Sequence, residues 1–184
     1  MTTDASSQRD WRRITEEFRA ESDRAAALVA AALLDANLES LLRSFLVADE
    51  SEVEALLGTN LQSLGARMRM AYLLGLVSVD EMHDLRIIKE IRNYFAHNLH
   101  VSFEDSYVQR ACGQFRLLRR LLGEGVVVSH RQALEQSTCV LSNLLVRRRQ
   151  RVLSRRLQKR PEMTHVEFSE ECPFTQPPTP KGAA

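Results

Sequence analysis

The chain has 184 residues, 44% of them hydrophobic and 27% charged, which is enough apolar material for one core and an ordinary charge content for a soluble fold. Lys and Arg number 25 against 24 Asp and Glu, a formal net charge of +1, which excludes a globally basic nucleic-acid binder. Cys112, Cys139 and Cys172 form no C-x-x-C pair and meet no histidine cluster, so a zinc site and a disulfide framework are excluded by spacing and a reducing cytoplasm is expected.

In chain order, residues 1–8 are polar, lack a signal-peptide core and are expected to be disordered. Trp11, Ile14 and Phe18 follow at helical spacing and predict one short amphipathic helix. The next helix is the centre of the pattern. Ser22 or Asp23 caps it, and Leu28, Leu34, Leu38, Leu41, Leu42 and Phe45 run on through alanines that allow neighbours to approach closely. Its run Ala25 to Leu34 is shorter than the roughly 20 residues of a bilayer span, so a buried helix is expected and no membrane. Its charges Arg24, Asp35, Glu39 and Arg43 are expected partly in buried pairs, and its exposed apolar positions suit a homodimer.

Ser51-Glu52-Val53-Glu54 has the pattern of a capping box and predicts a short helix ending near Gly58. A loop over 60–65 leads to a helix from about Leu64 to Leu74, with Met68, Ala71 and Leu74 on one side. Ser78-Val79-Asp80-Glu81 is a second capping box, opening a helix with Met82, Leu85, Ile88, Ile91 and Phe95 inward. Ser102 or Asp105 is expected to cap a single helix over about 103–122, with Tyr107, Cys112, Phe115, Leu118 and Leu122 inward. Gly123-Glu124-Gly125 breaks it, and Val126-Val127-Val128 reads as extended with no partner strand. A last helix is predicted from Arg131 to Lys159, with Leu134, Thr138, Leu141, Leu145 and Leu153 on its apolar side, ended by Pro161. Residues 161–184 read as a disordered, Pro-containing tail. The expectation is an all-α single bundle of about six or seven helices over residues 9–160.

Three clusters carry candidate chemistry. The first is Arg92, Asn93 and His97, late on the helix that begins after Ser78; Asn93 and His97 are four apart and share a face. The second is a run of cations on the last helix with no acid among them: Arg147, Arg148, Arg149, Arg151, Arg155, Arg156, Lys159 and Arg160. Such a helix end attracts phosphate backbones, and with few aromatics it would bind with little sequence selectivity. The third is Glu21, Asp23 and Arg24, expected to pair with Arg67 or Arg92 in the core, or to supply a carboxylate near His97. No Gly-rich phosphate loop, nucleophile elbow, His-Glu-x-x-His metal motif or helix-turn-helix is legible, so neither a metal nor a cofactor is expected.

Several segments resemble the mannitol operon repressor family across about residues 15–155. They are Glu21-Ser22-Asp23-Arg24-Ala25-Ala26, Leu33-Leu34-Asp35, Glu39-Ser40-Leu41-Leu42, Ser63-Leu64-Gly65-Ala66-Arg67, Ala71-Tyr72-Leu73-Leu74-Gly75-Leu76 and Arg92-Asn93-Tyr94-Phe95-Ala96-His97. The resemblance implies a helical bundle and a cytoplasmic transcriptional regulator without a recognisable DNA-reading domain. It also implies a protein partner, such as the phosphocarrier HPr, although no residue here carries that contact over. Arg92, Asn93 and His97 further resemble the Arg–(four to six)–His motif of HEPN domains, helical bundles that are often dimeric and often metal-independent ribonucleases. Under that resemblance His97 is the acid–base group and Arg92 the phosphate ligand, with Asn93 orienting the imidazole or the scissile phosphate. The competing structural expectation pairs Arg92 with a carboxylate and His97 with a backbone carbonyl.

Overall fold

A computed structural model describes residues 22–123 and 127–160, and these form an all-helical bundle without strands among the described residues. The expected helix around Trp11–Phe18, Val126, Glu21 and the Pro-containing tail lie outside the described residues. Seven helices follow in order: α1 Asp23–Phe45, α2 Glu50–Thr59, α3 Leu64–Leu73, α4 Val79–His97, α5 Ser106–Cys112, α6 Arg116–Leu122 and α7 His130–Val152, then a 3-10 turn Leu153–Arg155.

α1 is the axis of the fold and packs against α7, α4 and α3. The Ser22 hydroxyl accepts from the Ala25 N–H at 3.2 Å, as a helix cap should. Ala26, Ala27, Ala30 and Ala31 are buried, and their small side chains bring neighbouring backbones close before Leu34, Leu38, Leu41 and Leu42 fill the core. With 23 residues and a mean hydropathy of 1.6 over its most apolar window, α1 is long and apolar enough to cross a membrane; here its apolar residues form much of the bundle core. Leu28 departs from expectation: it is 36% exposed, beside Val29 at 40%, on an edge of α1 that also exposes Ala32 and Ala36.

The cap of α2 is Asp49, not Ser51: its carboxylate accepts from the Glu52 N–H, and Ser51 donates its hydroxyl to the same carboxylate. α3 ends in a Schellman turn. Leu76 N–H reaches back to the Ala71 carbonyl at 2.8 Å, Gly75 N–H to Tyr72 at 3.0 Å, and Gly75 takes φ +70°, a conformation that favours glycine. The Ser78–Glu81 capping box opens α4 as expected, and Met82, Leu85, Ile88, Ile91 and Phe95 are all buried.

The single helix expected over 103–122 is two helices, broken at Gly113–Phe115. The break comes from α4. Asp84, fully buried, accepts from the N–H groups of Arg116 and Leu117, each at 2.9 Å, and so caps α6 from another helix while Phe115 offers no side-chain cap. As a result Tyr107 lies 38% exposed, not inward, and stacks on Tyr94. Leu122 is only half-buried.

The last helix is also shorter than expected. It ends at Val152, Leu153 is 52% exposed, and the chain turns back along the end of α1. Leu157 N–H bonds the Phe45 carbonyl at 2.9 Å, Arg156 Nε the Leu46 carbonyl at 2.8 Å, and Lys159 pairs with Asp49 at 2.5 Å.

Candidate functional site

α4 carries the first cluster into two environments. Arg92 and Asn93 line a cleft of about 470 Å³ between α1, the start of α3 and α4, together with Lys89, Leu28, Asp35 and Gly65. Lys89 was not singled out in the sequence, yet it lies three and four residues before Arg92 and Asn93, the spacing of a shared face. His97, the last residue of α4, is exposed and does not line the cleft. A rotation of 100° per residue puts Asn93 about 40° from His97 around the helix, and Arg92 about 140° from it. One chain therefore does not bring the Arg92 guanidinium and the His97 imidazole to the same point.

The simple structural roles for these residues are not filled either. Arg92 makes no ion pair among the described residues and donates to the Asn93 amide oxygen at 2.9 Å. His97 has no hydrogen-bond or charge partner among the described residues. The carbonyls that end α4 are taken by Arg24, whose guanidinium donates to Phe95, to Asn98 and, at 2.8 Å, to Leu99. A cation at this end also suits the helix dipole.

Arg24 and its neighbour therefore do not pair as the sequence suggested. Asp23 bonds Arg131 at 2.9 Å and the Phe103 N–H at 3.2 Å, which ties the loop after α4 to the start of α7. Arg67 pairs with Asp35 at 2.6 Å and Glu39 at 2.9 Å. Neither Asp23 nor Arg24 meets Arg67 or Arg92. The expected pairs on α1 form for Asp35 and Glu39, through a partner on α3, but they are half-buried and not buried, with Asp35 29% and Glu39 31% exposed.

The cations of the last helix divide into two groups. Arg148 is structural: it forks onto the buried Glu81 carboxylate at 2.8 and 2.9 Å and donates to the Leu76 carbonyl at 2.8 Å. Arg156 and Lys159 hold the returning chain, and Arg149 Nε reaches Ser44 Oγ at 3.3 Å. Four remain. Arg147, Arg151, Arg155 and Arg160 are exposed and have no partner among the described residues.

Arg151 and Arg155 stand at the rim of a groove of about 620 Å³ whose floor is Phe45, Leu74, Leu76 and Val152. The unpaired set is half of what the run of cations suggested. The missing signal was Glu81, far away in sequence and already assigned to a capping box. Its Oε2 serves both roles, accepting from Ser78 N–H at 2.6 Å as well as from Arg148.

Among the described residues no group of three or more His, Cys, Asp or Glu side chains is placed to hold a metal ion. Cys112 is buried, and burial pushes its thiol up to about 12, which makes it a poor nucleophile. No protein-family profile, curated protein or solved structure matches this chain.

Proposed function

We propose that this chain is a cytoplasmic regulatory protein acting by surface contact, the role implied by its resemblance to the mannitol operon repressor family. Its unpaired C-terminal cations would supply a phosphate-backbone contact. The observation that supports this reading best is the partition of the last helix: Arg148 and Arg156 are held inside the fold, while Arg147, Arg151, Arg155 and Arg160 are exposed with no partner among the described residues. Four such cations favour a polyanion without reading its bases. The exposed apolar edge of α1, with Leu28, Val29, Ala32 and Ala36, supports self-association or a protein partner, HPr being one by resemblance only.

The test is transcriptional. Deletion in the encoding organism should change a defined set of transcripts, and wild type should restore them. Arg147→Glu/Arg151→Glu/Arg155→Glu should not, although it folds. Restoration by the triple variant would remove the basic end from the mechanism, and an unchanged transcript profile on deletion would remove the regulatory role.

A second reading is favoured by one observation, the exposure of His97 and Arg92, with no partner for His97 and no ion pair for Arg92 among the described residues. It is a HEPN-type metal-independent ribonuclease, in which Arg92 binds phosphate, His97 moves the proton and Asn93 orients. Because one chain turns Arg92 and His97 apart, this reading requires a second copy to complete the site. RNA cleavage in EDTA that disappears in a folded His97→Ala protein would establish it and displace the regulatory reading. The absence of cleavage by wild type would end it.

A further inference from the structure

The cleft between α1, α3 and α4 gathers positive charge around a helix end. On α4, Asn93, Lys89 and Arg92 lie about 40°, 80° and 140° from His97, all to one side, so Lys89 is the middle of the face that lines the cleft. Across from it stands the first turn of α3. A Cβ placed on Gly65 would fall 3.1 Å from Lys89 Nζ, so the ammonium lies directly against the backbone there. That turn holds no acidic side chain. Its first two N–H groups, of Leu64 and Gly65, have no acceptor within their own helix, while the Ser63 hydroxyl and carbonyl serve Ala66 and Arg67.

A cation held at the positive end of a helix is repelled by it. An anion between the two poles turns that repulsion into attraction on both sides. Arg92, also lining the cleft, adds a planar fork that suits phosphate oxygens. Its bond to the Asn93 amide oxygen at 2.9 Å leaves the Asn93 amide nitrogen as a further donor. The opposite wall asks for something more than a bare ion. Asp35 lines the cleft with one oxygen on Arg67 at 2.6 Å, and its Oδ1 is buried without a hydrogen-bond donor among the described residues. A buried acceptor in that state is costly and calls for a hydroxyl or amino donor. Leu28, Ala32 and Leu64 complete the lining, and a volume of about 470 Å³ is of the size that takes a small molecule.

We infer that this cleft binds a small phosphorylated molecule. Lys89, Arg92, Asn93 and the first N–H groups of α3 hold its phosphate, and a hydroxyl or amino group of the same molecule turns to Asp35. His97 does not line the site, and the inference rests on neither the regulatory nor the ribonuclease reading.

The test is an NMR titration of the full chain with inorganic phosphate, sodium chloride being adjusted to hold ionic strength constant. The amides of Leu64 and Gly65 should shift together and saturate. Glycerol phosphate, which adds hydroxyls, should bind more tightly than inorganic phosphate. Lys89→Gln/Arg92→Gln should weaken binding by about tenfold or more, as expected for lost charge-assisted hydrogen bonds, with unchanged helicity. Gly65→Ala raises helix propensity and so folds, yet it sets a methyl against Lys89 where the anion meets the backbone, and it should weaken binding too. His97→Ala, which would end RNA cleavage, should leave the titration unchanged. Shifts that do not saturate, that centre on Arg151 and Arg155, or that survive both cleft variants overturn the proposal and leave an ion adsorbed by charge alone. Equal affinity for phosphate and glycerol phosphate overturns the hydroxyl-bearing ligand. A single-stranded oligonucleotide without terminal phosphates that displaces phosphate at lower concentration would assign the cleft to nucleic acid instead.

Discussion

Removing the Asp84 carboxylate is the most direct probe of how the helices are pinned together. Asp84 is fully buried on α4 and accepts from two backbone N–H groups that open α6, each at 2.9 Å. In Asp84→Ala the helix loses its only side-chain cap, worth about 1 kcal/mol, and two N–H groups in a partly buried setting lose their acceptor at about 1–3 kcal/mol each before water returns. Allowing for that rehydration, the expected loss is about 2–4 kcal/mol, or roughly 5–15 °C in Tm for a domain of this size. Asp80→Ala, one turn earlier, removes only the partly exposed pairs to Arg116 and Arg120 and should cost under about 1 kcal/mol. Urea unfolding of both variants is the measurement, and an Asp84→Ala loss no larger than that of Asp80→Ala would refute the reasoning.

The pH dependence adds a sign. Burial pushes the Asp84 carboxyl above the usual carboxylate range, against the two backbone N–H groups that pull it down. A raised folded value means that the stability linked to this group is complete below the unfolded value near 3.9 and is lost as pH rises through the folded value. Asp84→Asn mimics the protonated form, so its penalty should be larger near pH 4 and shrink towards pH 7. A penalty that grows with pH would mean that the two N–H groups outweigh burial.

The Arg148–Glu81 fork joins α7 to the start of α4. Arg148→Met should cost roughly 2–4 kcal/mol, less than a fully buried pair because Arg148 is 28% exposed; Glu81→Leu/Arg148→Met should cost less than the sum of the single changes. At the returning chain, Lys159 holds the Asp49 carboxyl down at about 2, with help from Ser51 and Glu52. Its stabilising effect is present above the unfolded value and is lost as pH falls through about 2. NMR titration should show Lys159→Met bringing Asp49 back towards 3.8. Finally, His97→Ala should leave Tm unchanged, while Arg24→Ala should speed hydrogen exchange across 96–103, where Arg24 and Asp23 hold the loop after α4.

The elements governed by local rules were legible in the sequence. Ser78 through Glu81 announced α4, and the Met82–Phe95 spacing gave its buried face, because capping and periodicity act within a few residues. The α5–α6 break was not legible, since its cause is a carboxylate 32 residues away that is a better cap than any neighbour. The end of α7 was misjudged for a similar reason: Arg156 and Leu157 find the carbonyls of Leu46 and Phe45, more than 100 residues earlier. In the candidate site, Arg92, Asn93 and His97 were visible as a triplet, but Lys89 and the cleft need α1 and α3 in place. The basic run looked uniform because sequence shows charge and not its neutralisation.

The pairing of α1 with α7 has a consequence for how the chain is made. The axial helix emerges from the ribosome ahead of its most extensive neighbour, which follows about 100 residues later. At roughly 5–20 residues per second, the alanine-lined side of α1 waits on the order of 5–20 s without its final cover. During that interval the nascent chain displays an apolar helix of 23 residues. Productive folding then depends on α3 and α4 sheltering that surface first, with the last helix closing the bundle only after its synthesis is complete.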